Sequence, residues 1–136
     1  MSSLFRIFDI AGSALNAQTV RLNTTASNMA NIDSISSSTN QTYRARQPVF
    51  AAELDEADDA LAGVSVLGIV ESQTPLRQEY RPDHPSANEQ GYVSVPNVNP
   101  VEEMANMISA SRAYQTNADV MNTAKQMLLK TLTLGQ

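Results

Sequence analysis

Residues 99–135 read NPVEEMANMISASRAYQTNADVMNTAKQMLLKTLTLG, and neither Gly nor Pro interrupts the run from Val101 to Leu134. Asn99 suits an N-cap, and Pro100 suits the first helical position, where its missing N–H leaves nothing unsatisfied. Glu102 stands at the third helical position to complete a capping box, and with Glu103 it faces the positive end of the helix dipole. Lys125 and Lys130 toward the end, with Gly135 beyond, are termination signals. The stretch predicts one long helix. Along it Met104, Met107, Ser111, Tyr114, Ala118, Met121, Lys125, Leu128 and Leu132 recur at steps of three and four, a heptad seam with polar interruptions.

The other end of the chain has the same character. Leu4, Phe8, Ala11, Leu15, Gln18, Leu22, Thr25 and Met29 alternate steps of four and three, which predicts a helix over residues 3–31 capped by Ser2 or Ser3. At 1.5 Å per residue the two helices would be about 50 Å and about 43 Å long. A compact domain of 136 residues has a radius of gyration of roughly 14 Å, and neither helix fits inside it. The helices are therefore expected as an extended hairpin or as separate arms, with apolar seam left for other chains to cover. Ala11, Gly12, Ala14, Ala17, Ala110, Ala113 and Ala118 would let backbones approach closely. This pattern points to assembly with copies or relatives rather than to catalysis.

Composition agrees. Hydrophobic residues make up 42% and aromatics 5%, with no Trp, so the apolar material suits thin seams better than a thick core. The absence of Cys excludes a disulfide scaffold, a thiolate metal site and a thiol nucleophile. The net charge of −5 without a Lys/Arg cluster argues against a nucleic-acid surface. The first residues, MSSLFRIFDIAGSALNAQ, are broken by Arg6, Asp9 and Gly12 and read neither as a cleaved leader nor as a membrane span.

Between the helices the periodicity changes. Residues 34–41 are Ser-rich and aperiodic, which reads as a loop. Residues 43–50, 63–71 and 91–95 are short β-branched or aromatic runs bounded by Gly, Pro and polar residues, as strands are. Pro75, Pro82, Pro85 and Pro96 keep the intervening chain extended. Residues 51–90 hold nine acids against two arginines, a net of −7, so a small solvent-facing β module is expected there.

The segment Ser13-Ala14-Leu15-Asn16-Ala17-Gln18, followed by Arg21-Leu22, Ala26-Ser27-Asn28 and Ala30-Asn31, resembles the N-terminal motif of bacterial flagellar rod, hook and hook-associated proteins. EEMANMISASRAYQTNADVMNTAKQML, residues 102–128, resembles their C-terminal motif. YRPDHPSANEQGYVSVPNVNPVEEM (80–104), TAKQMLLKTLTLG (123–135) and the short length narrow the similarity to the proximal rod proteins of the basal body. The departures are mild: Asp33-Ser34 stands where a Thr is common, and Asn88 where an Asp is common. The resemblance implies a structural subunit, exported unprocessed through the flagellar type III apparatus and assembled in the periplasm. It further implies contact with its own copies, with the rod proteins FlgB and FlgF, with FliE below and with FlgG beyond. The terminal helices would pair in the inner tube, and the middle segment would form an outer β-rich domain.

Bland readings stand beside the sharper ones. His84, between Asp83 and Pro85, lacks a marked acid or nucleophile and reads as a turn residue. Residues 53–59 carry five acids in seven positions but lack the spacing and central Gly of a calcium loop, so a solvated loop is expected. Asn28 and Asn31 are either caps and solvated positions or amides that bond across subunits and fix register.

The expected fold is α+β, with paired terminal helices forming a coiled-coil-like hairpin around a small β-rich middle. Residues 1–33 and 96–136 would form the inner part and 34–95 the outer part. Leu15, Leu22, Asn28, Met29, Asn31, Met107, Tyr114, Met121 and Leu128 are the expected subunit-interface residues. No enzymatic activity, cofactor or metal is expected. The alternative is a soluble helical adaptor that binds a partner helix in the cytoplasm.

Overall fold

The computed structural model describes residues 2–55 and 60–136. Two helices carry it, α1 (Ser2–Ala30) and α2 (Pro100–Leu134). Both expected helices are present, α1 shifted by one residue at each end. At 1.5 Å per residue they measure about 44 Å and about 52 Å. The start of α2 follows the capping chemistry: the Asn99 side chain accepts from the backbone N–H of Val101 and of Glu102, with Pro100 opening the helix. Gly135 closes it without the left-handed turn, at φ −84°, its N–H bonding to the Thr131 carbonyl at 3.1 Å.

The helices lie side by side and antiparallel. Arg21 Nη2 donates to Asn106 Oδ1 at 3.0 Å, Thr25 and Asn28 reach Glu103, and Ile7 shares a groove with Val120, Ala124 and Met127. The α1 seam forms as its spacing predicts: Ala11 and Thr25 are buried, and Leu4, Phe8, Leu15, Gln18, Leu22 and Met29 are half-buried.

The α2 seam is rotated from its expected register. Glu103, Ala110 and Ala124 are buried and Met107, Asn117, Met121 and Leu128 half-buried, whereas Met104, Ser111, Lys125 and Leu132 face outward. The physical reason is close approach: alanines at 110 and 124 let the backbones come together, which larger side chains there would prevent. A stripe drawn one residue earlier also removes the Ser111 and Lys125 interruptions.

The middle forms two separate antiparallel ribbons rather than one module. Strands β1 (Arg46–Asp55) and β2 (Ala60–Glu71) pair from Arg46↔Glu71 to Asp55↔Ala60, with register shifts at Val49/Phe50 and Glu53/Leu54. This hairpin packs along α1. There the Ser13 hydroxyl accepts from Val64 N–H at 3.0 Å, and a Cβ on Gly63 would stand 2.6 Å from Ser13 Oγ. Strands β3 (Arg77–Tyr80) and β4 (Tyr92–Val95) form the second ribbon. Its β4 edge takes a single bridge from Ser36 to Ser94. β3 is absent from the sequence expectation because Arg77-Gln78-Glu79-Tyr80 has little apolar content; it follows β4 through backbone bonds.

The loop between β3 and β4 is fixed by local polar contacts. Asn88 Oδ1 accepts from Gln90 N–H and Tyr92 N–H, and Gly91 adopts φ 81° beneath the Tyr80 ring, where a Cβ would lie 2.7 Å from it. His84 is a turn residue as expected, its Nδ1 accepting from Ser86 N–H at 3.1 Å. Of the acidic run, Glu53 is exposed near the end of β1, and residues 56–59 lie outside the described residues.

The core is made of small side chains. Ala11, Ala17, Ala45, Val93, Val95, Val98, Ala110 and Ala124 are its buried apolar members. The largest fully buried side chains are Val93, Asn28 and Pro96, one of which is polar.

Candidate assembly interface

Where α1, β1 and α2 meet, a polar knot replaces a hydrophobic core. Asn28, on α1, is only 1% exposed. Its Nδ2 donates to the Arg46 carbonyl at 2.8 Å, and its Oδ1 accepts from Arg46 N–H at 2.9 Å and from the Tyr43 hydroxyl at 2.8 Å. The amide thus pairs with one residue of β1 as a neighbouring strand would, satisfying the backbone groups at the strand's first residue. Glu103 on α2 lies within the influence of the Asn28 and Thr25 side chains. Burial raises the Glu103 pKa above its ordinary value and the nearby Glu102 charge adds to this, while the Asn28 and Thr25 bonds oppose it. Three elements are fastened by one carboxamide and one carboxylate.

A second amide fastens the far side. Asn97 Oδ1 accepts from Ala45 N–H at 2.8 Å, and its Nδ2 donates to the Thr74 carbonyl at 2.8 Å. Arg44 Nη1 donates to the Ser72 and Thr74 carbonyls at 3.2 Å and 3.3 Å, so the approaches to β1 and β3 are tied together.

The outer surface is different in kind. On α2 Val101, Met104 and Ile108, at steps of three and four, form an outward stripe, and Tyr114, Val120, Met127, Leu129, Leu132 and Leu134 are also exposed. The hairpin exposes Val49, Phe50, Leu54, Leu67, Ile69 and Val70. Apolar side chains on several elements thus remain uncovered within one copy, the condition that marks surfaces used in association.

The expected interface residues fall into three groups. Leu15, Leu22, Met29, Met107, Met121 and Leu128 are half-buried, with the α1 and α2 seams facing each other. Tyr114 turns outward at 39% exposure. Asn28 and Asn31 bond within the chain, Asn31 donating to the Ser27 carbonyl at 2.8 Å. Sequence reasoning missed the outward stripe of Val101, Met104 and Ile108 and the exposed hairpin. Once the inner register is drawn through Ala110 and Ala124, Met104 and Ile108 necessarily fall outside it. Among the described residues no group of His, Cys, Asp or Glu could hold a metal, and no helix is long and apolar enough to cross a membrane.

Residues 8–34 match the family described as "Flagella basal body rod protein", and residues 89–134 match "Flagellar basal body rod FlgEFG protein C-terminal". These matches place the chain among flagellar basal-body rod proteins. It is 54% identical to the flagellar basal-body rod protein FlgC of Salmonella typhimurium, over 98% of this chain and 99% of that protein. The FlgC proteins of Escherichia coli O157:H7 and Yersinia enterocolitica are 53% and 52% identical over the same shares. The chain belongs to the FlgC family of flagellar basal-body rod proteins.

Proposed function

We propose that this chain is a structural subunit of the flagellar basal-body rod, assembling through its terminal helices into a shaft that transmits torque. The observation that carries this reading is the set of apolar side chains left uncovered along helices of about 44 Å and about 52 Å, in a chain akin to FlgC proteins over nearly its whole length. Head-to-tail contacts with a rise between subunits do not close into a ring; they generate a tube. The half-buried seam residues Leu15, Leu22, Met29, Met107, Met121 and Leu128, with Tyr114 beside them, become fully covered when neighbours pack on the pair. Asn28 and Asn31 contribute by holding the hairpin and the helix end in the shape that neighbours meet. Residues 1–33 and 96–136 form the inner part of the subunit and 34–95 the outer part.

The kinship supports a finer placement. The subunit occupies the proximal rod in the periplasm, reached through the flagellar type III export apparatus. It contacts its own copies, FlgB, FlgF, FliE and FlgG. The role is mechanical, with no catalytic step. The test is fractionation of cells carrying a tagged chain: it co-purifies with basal bodies, and its deletion leaves basal bodies without a complete rod. A tagged chain that remained in the cytoplasm of motile cells would instead support an adaptor.

A further inference from the structure

The Ser-rich loop after α1 divides its polar side chains between two tasks. Some of them hold its own shape. Ser36 Oγ and Thr42 Oγ1 both donate to the Ser38 carbonyl, at 3.0 Å and 2.8 Å. The Gln41 N–H donates to the same carbonyl at 3.2 Å, and Ser36 bridges to Ser94 on β4. The loop is therefore a formed structure. The side chains of Thr39, Asn40 and Gln41 are the second group. They take no hydrogen-bond partner among the described residues, and all three line one cavity.

That cavity holds about 700 Å³, a size suited to a small ligand. Pockets of such volume are usually lined mainly by apolar side chains. Here Ile35 is the single aliphatic wall; hydroxyls, amides, one aromatic ring and three charged groups supply the rest. The ring belongs to Tyr43, and it is locked in place. Its hydroxyl donates to Asn28 Oδ1 at 2.8 Å and lies 3.2 Å from Ser27 Oγ, while Arg46 Cζ stands 5.3 Å from the ring centre. The charges are already engaged: Arg46 pairs with Glu71 at 3.5 Å, and Arg44 Nη1 donates to the Ser72 and Thr74 carbonyls. What remains free is uncharged. Neutral donors and acceptors beside a fixed aromatic wall match a sugar, whose polar edges bond to amides and whose C–H face packs on a ring.

We propose that this cavity binds a short stretch of an acetamido-sugar chain. Thr39, Asn40 and Gln41 bond its polar edges, and Tyr43 is the wall against which one sugar ring packs. A carboxamide complements an acetamido group on both sides, donating to its carbonyl and accepting from its N–H. Because the loop and the ring are held beforehand, little ordering opposes binding. The site stands on the cavity itself and is independent of how copies pack in a rod. The periplasmic placement proposed above supplies a source, since the glycan of the cell wall is built from such sugars.

The test titrates the purified full chain with chitotetraose and follows backbone amide signals by NMR. Shifts confined to the loop and the cavity walls should saturate with a Kd on the order of 1 mM, as a few neutral hydrogen bonds on an open site allow. The Kd should not change between low and high salt, because no ion pair forms with the ligand. The double variant Asn40→Ala, Gln41→Ala should raise it roughly tenfold through two lost bonds. Its thermal midpoint should stay unchanged, since neither side chain is bonded within the chain. Co-sedimentation with purified cell-wall sacculi should be lost in the same variant. Absence of shifts in the loop overturns the site, as does an unchanged Kd in the double variant. Affinity that collapses with salt also overturns it, assigning Arg44 and Arg46 to an anion instead. A chain that binds the sugar yet is missing from basal bodies would overturn the rod assignment and leave the sugar site standing.

Discussion

Asn28 is an asparagine because no other side chain offers two acceptor sites and two donors at that reach. Alanine there leaves the Arg46 N–H and carbonyl and the Tyr43 hydroxyl short of partners in a site closed to water. Asn28→Ala should lower stability by about 2–3 kcal/mol, read as a shift of the urea midpoint of the purified chain. Asn28→Asp removes the donors and sets a second carboxylate beside Glu103, so it should be at least as damaging. Glu103 gives the knot a pH dependence. Its pKa is raised above 4.5 in the fold, chiefly by burial, so the native state holds this proton more tightly than the unfolded chain does. The contribution to stability is then full below about pH 4.5 and declines as pH rises through that value and the native one. Glu103→Gln should flatten this decline, so that thermal midpoints measured at pH 5 and pH 8 differ less than in the unaltered chain.

At the scale of elements, the contact between α1 and α2 depends on side chains that are barely there. Ala110 is 0% exposed, and the backbones approach across it. Ala110→Leu should push the pair apart at a cost of about 1–3 kcal/mol, visible as a lower urea midpoint with the helical signal retained. These alanines also explain how much of α2 its sequence disclosed. Its existence, start and extent follow from Asn99, Pro100 and an unbroken run of helix formers. Its inward face does not, because methionines and leucines draw the eye to a stripe that the fold partly turns to solvent. For α1 the stripe is also only part of the buried face: Ala11 and Thr25 lie in it, whereas Ala17, Thr24 and Asn28 are buried outside it. β3 was illegible for another reason: four mostly polar residues gain their strand conformation from β4 alone. The Asn28 knot was half-visible, as an amide in a recurring motif, but its partners lie on two other elements. Only the folded chain shows that Arg46 offers backbone rather than charge.

At the scale of the whole molecule, two kinds of apolar position separate cleanly. Met121 lies in the seam within the copy, and Ile108 lies outside it. Met121→Asp should lower the melting temperature of the isolated chain, because a charge is forced into a half-buried seam. Ile108→Asp should change the stability of the isolated chain by less than about 0.5 kcal/mol and yet prevent incorporation into basal bodies. The pair of measurements separates folding from assembly, which a seam variant alone cannot do.

Among the described residues the bulkiest fully enclosed hydrocarbon is a valine, so the lone copy has little interior to tear open. Drawing it out lengthwise therefore uncovers few large greasy groups that were closed off before. In the shaft proposed above, neighbours supply the bulk that each copy lacks.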